Sequence, residues 1–263
     1  MGLFDIFKKK EQPKENKDTK TLLAMPLFIN DGKYELNKIT DHLKHYWNLD
    51  IASVTGDDKS AVLTIDSDVV IIAFMSVPIP RGDIEGAAPY AYNWPTVLDD
   101  LKNFTGHAIV SVMSATKPAL EKYKLLTKVL HSILSTSDSI GIYQGSQTLL
   151  IPKDQYIGTA EELKAGKTPV PLWIYLGLRQ ATEGNSIYTY GLNEFGKHEM
   201  EVIHSQLGLE ELYTFISNIS AYVIGKDVTL KSGETLGYTA DQKINIELSK
   251  GLMVEGQTLK LKM

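Results

Sequence analysis

Residues 69–93 read VVIIAFMSVPIPRGDIEGAAPYAYN and decide how the first half of the chain folds. The seven apolar residues from Val69 to Met75 predict a buried strand, because the run is short and rich in β-branched side chains. Residues 77–93, called here the Pro-rich segment, contain three prolines and two glycines, which favour an irregular backbone. A helix is predicted to begin at Trp94 and Pro95. Long connections between a strand and a helix often carry function, so this segment is the first candidate site.

The composition is that of an ordinary globular protein. The chain has 263 residues, 43% hydrophobic and 22% charged, enough for one large domain or two small ones that pack together. It has no cysteine, which excludes disulfides and cysteine metal sites and favours a cytoplasmic location. The net charge of −5 argues against general nucleic-acid binding, because a phosphate-binding surface needs clustered lysine and arginine.

The first 20 residues are predicted to be a flexible leader and tether. Seven mostly apolar residues precede three lysines, and residues 11–20 lack any large apolar side chain. One interpretation is contact with the inner membrane face, in which apolar side chains enter the interface and lysines meet anionic lipid. The candidate membrane-contact residues are Leu3, Phe4, Phe7, Lys8, Lys9 and Lys10. The alternative is a frayed terminus, because so short a segment forms barely two helical turns.

The element order predicts an α+β protein whose first lobe, residues 21–152, is ferredoxin-like. A strand over 21–29 precedes a helix with apolar residues at spacings of 3, 4 and 4, from Leu36 to Trp47. Strands over 60–65 and 69–76, the helix from Trp94 and a strand over 107–113 complete a β-α-β-β-α-β order. A further helix to about residue 134 and a strand pair around 140–151 follow.

Residues 153–263 predict a second α+β lobe with antiparallel strands, closely packed on the first. Helices are expected over 154–164 and 207–224. Strands are expected over 172–179, 186–190, 200–203, 228–230, 243–248 and 258–262. No linker is long enough to separate the lobes, so we expect one body.

Several short motifs, taken in their order, resemble an uncharacterised bacterial family, domain of unknown function 4261. The motifs are Phe74 to Pro80, Asp83 to Gly86, Asn93 to Pro95, His107 to Met113, Ile140 to Tyr143, Pro171 to Ile174, Gly191-Leu192, Phe195-Gly196 and Glu199 to Glu201. The resemblance implies a cytoplasmic bacterial protein, with some relatives in toxin and secretion neighbourhoods. It implies no catalytic residue.

Charged residues of the Pro-rich segment are the first candidate partner-binding residues. Asp83 and Glu85 are two apart, so on an extended segment they would face one side and could bind a metal or share a proton. Arg81 could neutralise one of them or clamp a partner's carboxylate. The structural alternative is a turn in which the carboxylates accept backbone N–H groups.

Aromatic residues supply the second signal. Tyr90 and Tyr92, with Trp94, alternate at the end of the segment, and Trp173 and Tyr175 alternate on a predicted strand, which places both on one face. An exposed face of this kind would be a binding patch, whereas a face covered by a helix would be core.

No recognisable catalytic set is present. Gly145-Ser146-Gln147 does not continue as a nucleophile elbow, and there is no P-loop or dinucleotide fingerprint. We therefore expect no catalytic residue, metal or cofactor, and a non-enzymatic module of the bacterial cytoplasm that binds another protein, as an immunity or adaptor component does. In this hypothesis Asp83 and Glu85 meet a basic partner, and tyrosines anchor it. The alternative is an enzyme or small-ligand binder with a site between the lobes, where Arg81, Asp83 and Glu85 converge with His198.

Overall fold

The computed structural model describes residues 22–237 and 242–263, which form two β-sheets with helices packed on them. The strands are β1 (Leu22–Ile29), β2 (Ile51–Gly56), β3 (Ser60–Ile65), β4 (Asp68–Met75), β5 (Phe104–Met113), β6 (Ser139–Gln144), β7 (Leu149–Pro152), β8 (Tyr175–Ala181), β9 (Gly184–Tyr190), β10 (Met200–Ser205), β11 (Thr235–Gly237), β12 (Lys243–Lys250) and β13 (Gln257–Lys262). The α-helices are α1 (Leu36–His45), α2 (Arg81–Ala87), α3 (Val97–Asp100), α4 (Ala119–Thr136), α5 (Lys153–Ala160), α6 (Val170–Trp173) and α7 (Leu209–Gly225).

The first sheet has seven strands in the order β2-β3-β4-β5-β1-β6-β7, and each neighbouring pair is antiparallel. The α+β class is therefore confirmed, but the ferredoxin-like detail is not. Strand β5 lies between β4 and β1, and β6 and β7 extend the sheet beyond β1. Strand β2 was not predicted, because five of its six residues are exposed and it shows no apolar alternation.

The second sheet has six strands in the order β11-β12-β13-β10-β9-β8. Its pairs are antiparallel except β10 with β13, which run parallel. The strand predicted over 228–230 is wrong, because the structure has no strand there. Trp173 lies in α6 rather than on a strand with Tyr175, so the predicted alternation is also wrong. Both side chains are buried, as core residues are.

One hydrophobic core runs through both halves of the structure. It includes Leu43 of α1, Leu130 of α4, Trp173 of α6, Ile216 of α7 and Ile244 of β12. Packing of side chains into one contiguous cluster is what defines a shared core. The predicted division at residue 152 remains a prediction.

The Pro-rich segment is partly helical and covers one end of the first sheet. Pro80 precedes α2, and a 3₁₀ turn, Ala88–Tyr90, follows it, so the predicted irregular loop is wrong over these residues. The helix expected from Trp94 shrinks to α3 and one 3₁₀ turn, because β5 already begins at Phe104. A second apolar cluster, which includes Ile84 and Trp94, packs here against Leu27 of β1 and Leu150 of β7.

No helix within the described ranges has the length and apolar character needed to cross a membrane. The candidate membrane-contact residues Leu3, Phe4, Phe7, Lys8, Lys9 and Lys10 lie outside the described residues.

Candidate functional site: an open sheet face and an adjoining cavity

Part of one face of the first sheet is not covered by any helix of residues 22–237 and 242–263. Strands β3, β4 and β5 pair so that Val62 lies beside Ile71, Val69 beside Met113, and Ile71 beside Ser111, which itself pairs with Leu23 of β1. Directly paired residues point to the same face of a sheet. We call Leu23, Val62, Val69, Ile71, Ile109 and Met113 the open face.

Burial shows that the two faces of this sheet differ. Val70 and Val112, which point to the opposite face, are fully buried in the core that contains α1 and α4. On the open face, Val62 is 42% exposed and Met113 is 46% exposed, and the other four side chains are half-buried. Contiguous exposed apolar side chains of this kind mark interaction surfaces in soluble proteins.

The three charged candidates of the Pro-rich segment lie on α2, at the edge of this region. Arg81 Nε donates to Glu85 Oε1 at 2.6 Å, an i,i+4 ion pair with both side chains exposed. Two residues along an α-helix correspond to a rotation of about 200°. Asp83 and Glu85 therefore point to nearly opposite sides of α2. The predicted carboxylate pair is therefore not formed, although all three residues remain accessible to a partner.

Tyr90 and Tyr92 link the Pro-rich segment to the second sheet. The Tyr92 hydroxyl donates to the carbonyl oxygen of Leu176 in the edge strand β8 at 3.0 Å. Both rings also contact Tyr175, with centroids 5.9 and 6.2 Å apart. Burial raises the pKa of Tyr92, so its hydroxyl stays a donor. About half of each tyrosine is still exposed, which leaves apolar area for a partner.

A cavity of about 370 Å³ lies between α2, the start of β1 and the turn between β6 and β7. Its described lining residues are Leu22, Leu23, Met25, Asp83, Tyr123, Leu126, Tyr143, Gln144, Gly145, Ser146, Gln147 and Glu194. Because Leu23 belongs to both, the cavity adjoins the open face. Sequence reasoning missed this cavity, since its walls come from segments far apart in the chain.

The predicted convergence of α2 with His198 is not found. Asp83 lines the cavity, whereas His198 lines a separate depression with Met200 and Val228. The described residues contain no group of three or more histidine, aspartate and glutamate side chains placed to hold a metal ion.

A histidine cluster packs between α1, α4 and the 3₁₀ turn after α5. His131 Nε2 lies 3.1 Å from Glu161 Oε1, the same oxygen that accepts from the Tyr46 hydroxyl, and His42 Nδ1 lies 3.0 Å from Ser132 Oγ. Burial lowers the pKa of His131 to about 4, despite the opposing charge of Glu161. His131 is thus neutral near pH 7 and acts as a packed core group.

Two buried carboxylates, Glu199 just before β10 and Glu201 within it, accept several backbone N–H groups. Glu199 accepts from the N–H groups of Gly191 and Asn193 at 2.9 and 3.1 Å, and from Thr189. Glu201 is 0% exposed and binds the turn between β12 and β13. These acids fix turns, which explains their burial without any catalytic role.

Comparison with known proteins finds a family match in the C-terminal part of the chain. Searches of curated proteins and of solved structures each gave no match. One family model matches from within β9 to the end of β13, a stretch that contains Glu199 and Glu201. The resemblance expected from the sequence is thereby confirmed over residues 188–262, which match the family described as Domain of unknown function (DUF4261).

Proposed function

We propose that this chain is a non-enzymatic protein-interaction module of the bacterial cytoplasm, of the adaptor or immunity type, and that its open face binds the partner. The exposure of Val62 on β3 and of Met113 at the end of β5, two strands that are each paired on both sides, is the observation that carries the proposal. Removing apolar surface from water is favourable by about 25 cal/mol for each Å² buried. Covering these side chains with a partner therefore stabilises a complex.

The partner we propose is a protein segment with apolar side chains flanked by lysine or arginine. The chain carries a net charge of −5, which favours encounter with a basic surface. Asp83 stands at the border of the open face, in the cavity that Leu23 also lines. Tyr90 and Tyr92 add half-exposed aromatic area of the kind enriched at binding hot spots.

Two lysine substitutions on the open face test the proposal. Val62→Lys combined with Met113→Lys places two charges on the open face, and partner affinity is expected to fall at least about tenfold. The matched control is Leu252→Lys, since Leu252 is 68% exposed and lies between β12 and β13.

The measurement is photo-crosslinking in the cell that encodes the protein, with the crosslinker at Thr64 on the same face, followed by affinity measurement with the captured protein. Circular dichroism confirms that each variant is folded. Equal binding by the open-face variant and by Leu252→Lys would refute the role of the open face.

The cavity supports a second candidate function, small-ligand binding. Its volume falls within the roughly 300–1,000 Å³ of known ligand pockets, and it combines apolar walls with a few polar groups. Equilibrium dialysis against a panel of small metabolites checks it: a retained compound whose binding is lost in Ser146→Trp supports it. Retention of none would contradict it.

A further inference from the structure

We propose that the cavity beside α2 binds an organic cation, an ammonium or guanidinium group carried on an aliphatic stem. The inference deepens the proposed function, because a lysine or arginine of the docked partner carries the same group. A free amine or guanidine is the other source of this chemistry.

The charge of the lining is the first argument. Asp83 and Glu194 both line the cavity, and none of the lining residues in the described ranges is lysine, arginine or histidine. Burial raises the pKa of Tyr143, and the charge of Asp83 raises it further. Burial also raises the pKa of Tyr123, with the charge of Glu194 as the second cause. Each carboxylate therefore acts on a phenol of the cavity, and the phenols stay uncharged.

The position of Asp83 on α2 is the second argument. Its neighbour Glu85 is paired with Arg81 on the exposed side of the helix, so its charge is offset there. Asp83 is among the residues that line the cavity, whereas Arg81 and Glu85 are not. A cation that enters the cavity thus meets the carboxylate of Asp83.

The shape of the walls is the third argument. Leu23, Met25 and Leu126 are apolar and suit a chain of methylene groups. The aromatic ring of Tyr143 offers a surface to which cations are attracted. An anionic ligand would meet the carboxylate of Asp83, and the described lining residues include no lysine, arginine or histidine to attract it.

Hydrogen bonds hold the floor of the cavity in one arrangement. Gln147 Oε1 accepts from Gln144 Nε2 at 2.7 Å and from Ser146 Oγ at 2.6 Å, and Gln147 Nε2 donates to the Tyr123 hydroxyl at 2.9 Å. The bonds of Gln147 with Gln144 and Tyr123 are buried, whereas the bond from the exposed Ser146 is partly buried. A rigid floor reduces the ordering cost of binding.

The test uses the full chain with ¹³C-methyl-labelled methionine, and the Met25 signal is assigned with Met25→Leu. The probes are n-butylammonium, n-propylguanidinium and neutral n-butanol at matched ionic strength. We expect the two cations to shift the Met25 signal at concentrations where butanol does not. Asp83→Asn should weaken cation binding roughly three- to tenfold. The matched control Asp50→Asn, at an exposed carboxylate that does not line the cavity, should leave cation binding unchanged.

A second arm distinguishes the source of the cation. The probes are a capped peptide with a central lysine between valine and isoleucine residues, and the same peptide with norleucine in place of lysine. A lysine peptide that binds at least tenfold tighter than butylammonium, with the gain lost in Val62→Lys/Met113→Lys, assigns the site to a partner side chain. Equal affinity of peptide and free cation assigns it to a small molecule.

The inference is overturned if butanol and butylammonium shift the Met25 signal equally, or if Asp83→Asn binds the cations as tightly as the unmodified chain. This failure is separate from that of the proposed function. If cations bind but the open-face variants keep their partner, only the proposed function fails. If partner binding depends on the open face but no cation binds, only the cation site fails.

Discussion

Replacing Glu201 by glutamine should strongly destabilise the second sheet. The Glu201 carboxylate lies 2.8 Å from Lys260 Nζ and accepts from the N–H groups of Leu252, Met253 and Val254 at 2.9 to 3.2 Å. Glu201→Gln keeps the shape of the side chain but removes its charge. The NH₂ group of the glutamine amide is a donor, and it would face the N–H groups or the Lys260 ammonium, which are donors as well. Lys260, whose side chain is only 11% exposed, then loses its counter-charge.

The expected cost is about 3–5 kcal/mol of unfolding free energy, the typical effect of removing one partner of a buried ion pair. The assay is urea denaturation at pH 7, followed by circular dichroism. Glu247→Gln is the matched control, because Glu247 and Lys262 form an exposed pair in the same sheet and such pairs contribute about 0–1 kcal/mol. Equal losses in the two variants would refute the reasoning.

A pH series gives the same prediction an independent check. Burial alone would raise the pKa of Glu201, but the hydrogen bond from Lys260, the amides of Met253 and Leu252, and the Lys260 charge outweigh it and lower the pKa. The stabilisation is therefore fully present above the unfolded pKa of about 4.3 and is lost as the pH falls through the lower folded value. The difference in unfolding free energy between the unmodified chain and Glu201→Gln should therefore become smaller as the pH falls below about 4.3.

Three further predictions concern individual buried contacts. Gly141→Ala should lower the unfolding free energy by about 1–3 kcal/mol, because the new Cβ would lie 2.6 Å from both a backbone oxygen and an indole ring. In the control Gly158→Ala the Cβ meets nothing within 4 Å. Urea denaturation midpoints compare the two variants. Tyr92→Phe should cost about 1 kcal/mol through loss of the bond to Leu176, and faster amide hydrogen exchange in β8 would report it. The unfolding free energy should rise between pH 4 and 6.5, because burial lowers the pKa of His131 to about 4 and the unfolded chain then binds more protons; urea titrations at the two pH values should show a smaller rise for His131→Gln.

Local patterns in the sequence were enough to predict the long helices and most strands. The apolar spacing from Leu36 to Trp47 marks α1 and its buried stripe, and the helix predicted over 207–224 corresponds to α7 (Leu209–Gly225). Strand β2 gives no such signal, because an edge strand with exposed side chains has no buried face to alternate.

The helix α2 was missed because glycine and proline were taken to indicate an irregular loop. Gly82 and Gly86 lie within α2 with open space around them and without positive φ angles, so neither serves a turn there. Pro80 precedes the first turn, where its missing N–H costs nothing. Composition alone could not separate a short helix from a turn.

The candidate site could not be predicted from neighbouring residues. The open face combines residues of β1, β3, β4 and β5, which become neighbours because β5 lies between β4 and β1. That strand order depends on contacts between residues far apart in the chain. The cavity likewise needs α2, β1 and the β6–β7 turn to meet. Asp83 and Tyr92 were chosen for their residue types, but only the fold shows that they lie at different places.

The position of β13 between β10 and β12 determines when the second sheet can form during translation. Strands β1 to β7 all precede residue 153, so the ribosome delivers the whole first sheet before α5. The second sheet must wait for β13, because this strand lies between β12 and β10 in the sheet but follows both of them in the chain. A nascent chain that stops before Gln257 would leave β10 and β12 with unpaired edges, which invite pairing with other chains. A chain that stops between β12 and β13 would therefore have its second sheet divided into β11-β12 and β10-β9-β8, with two edges open to aggregation.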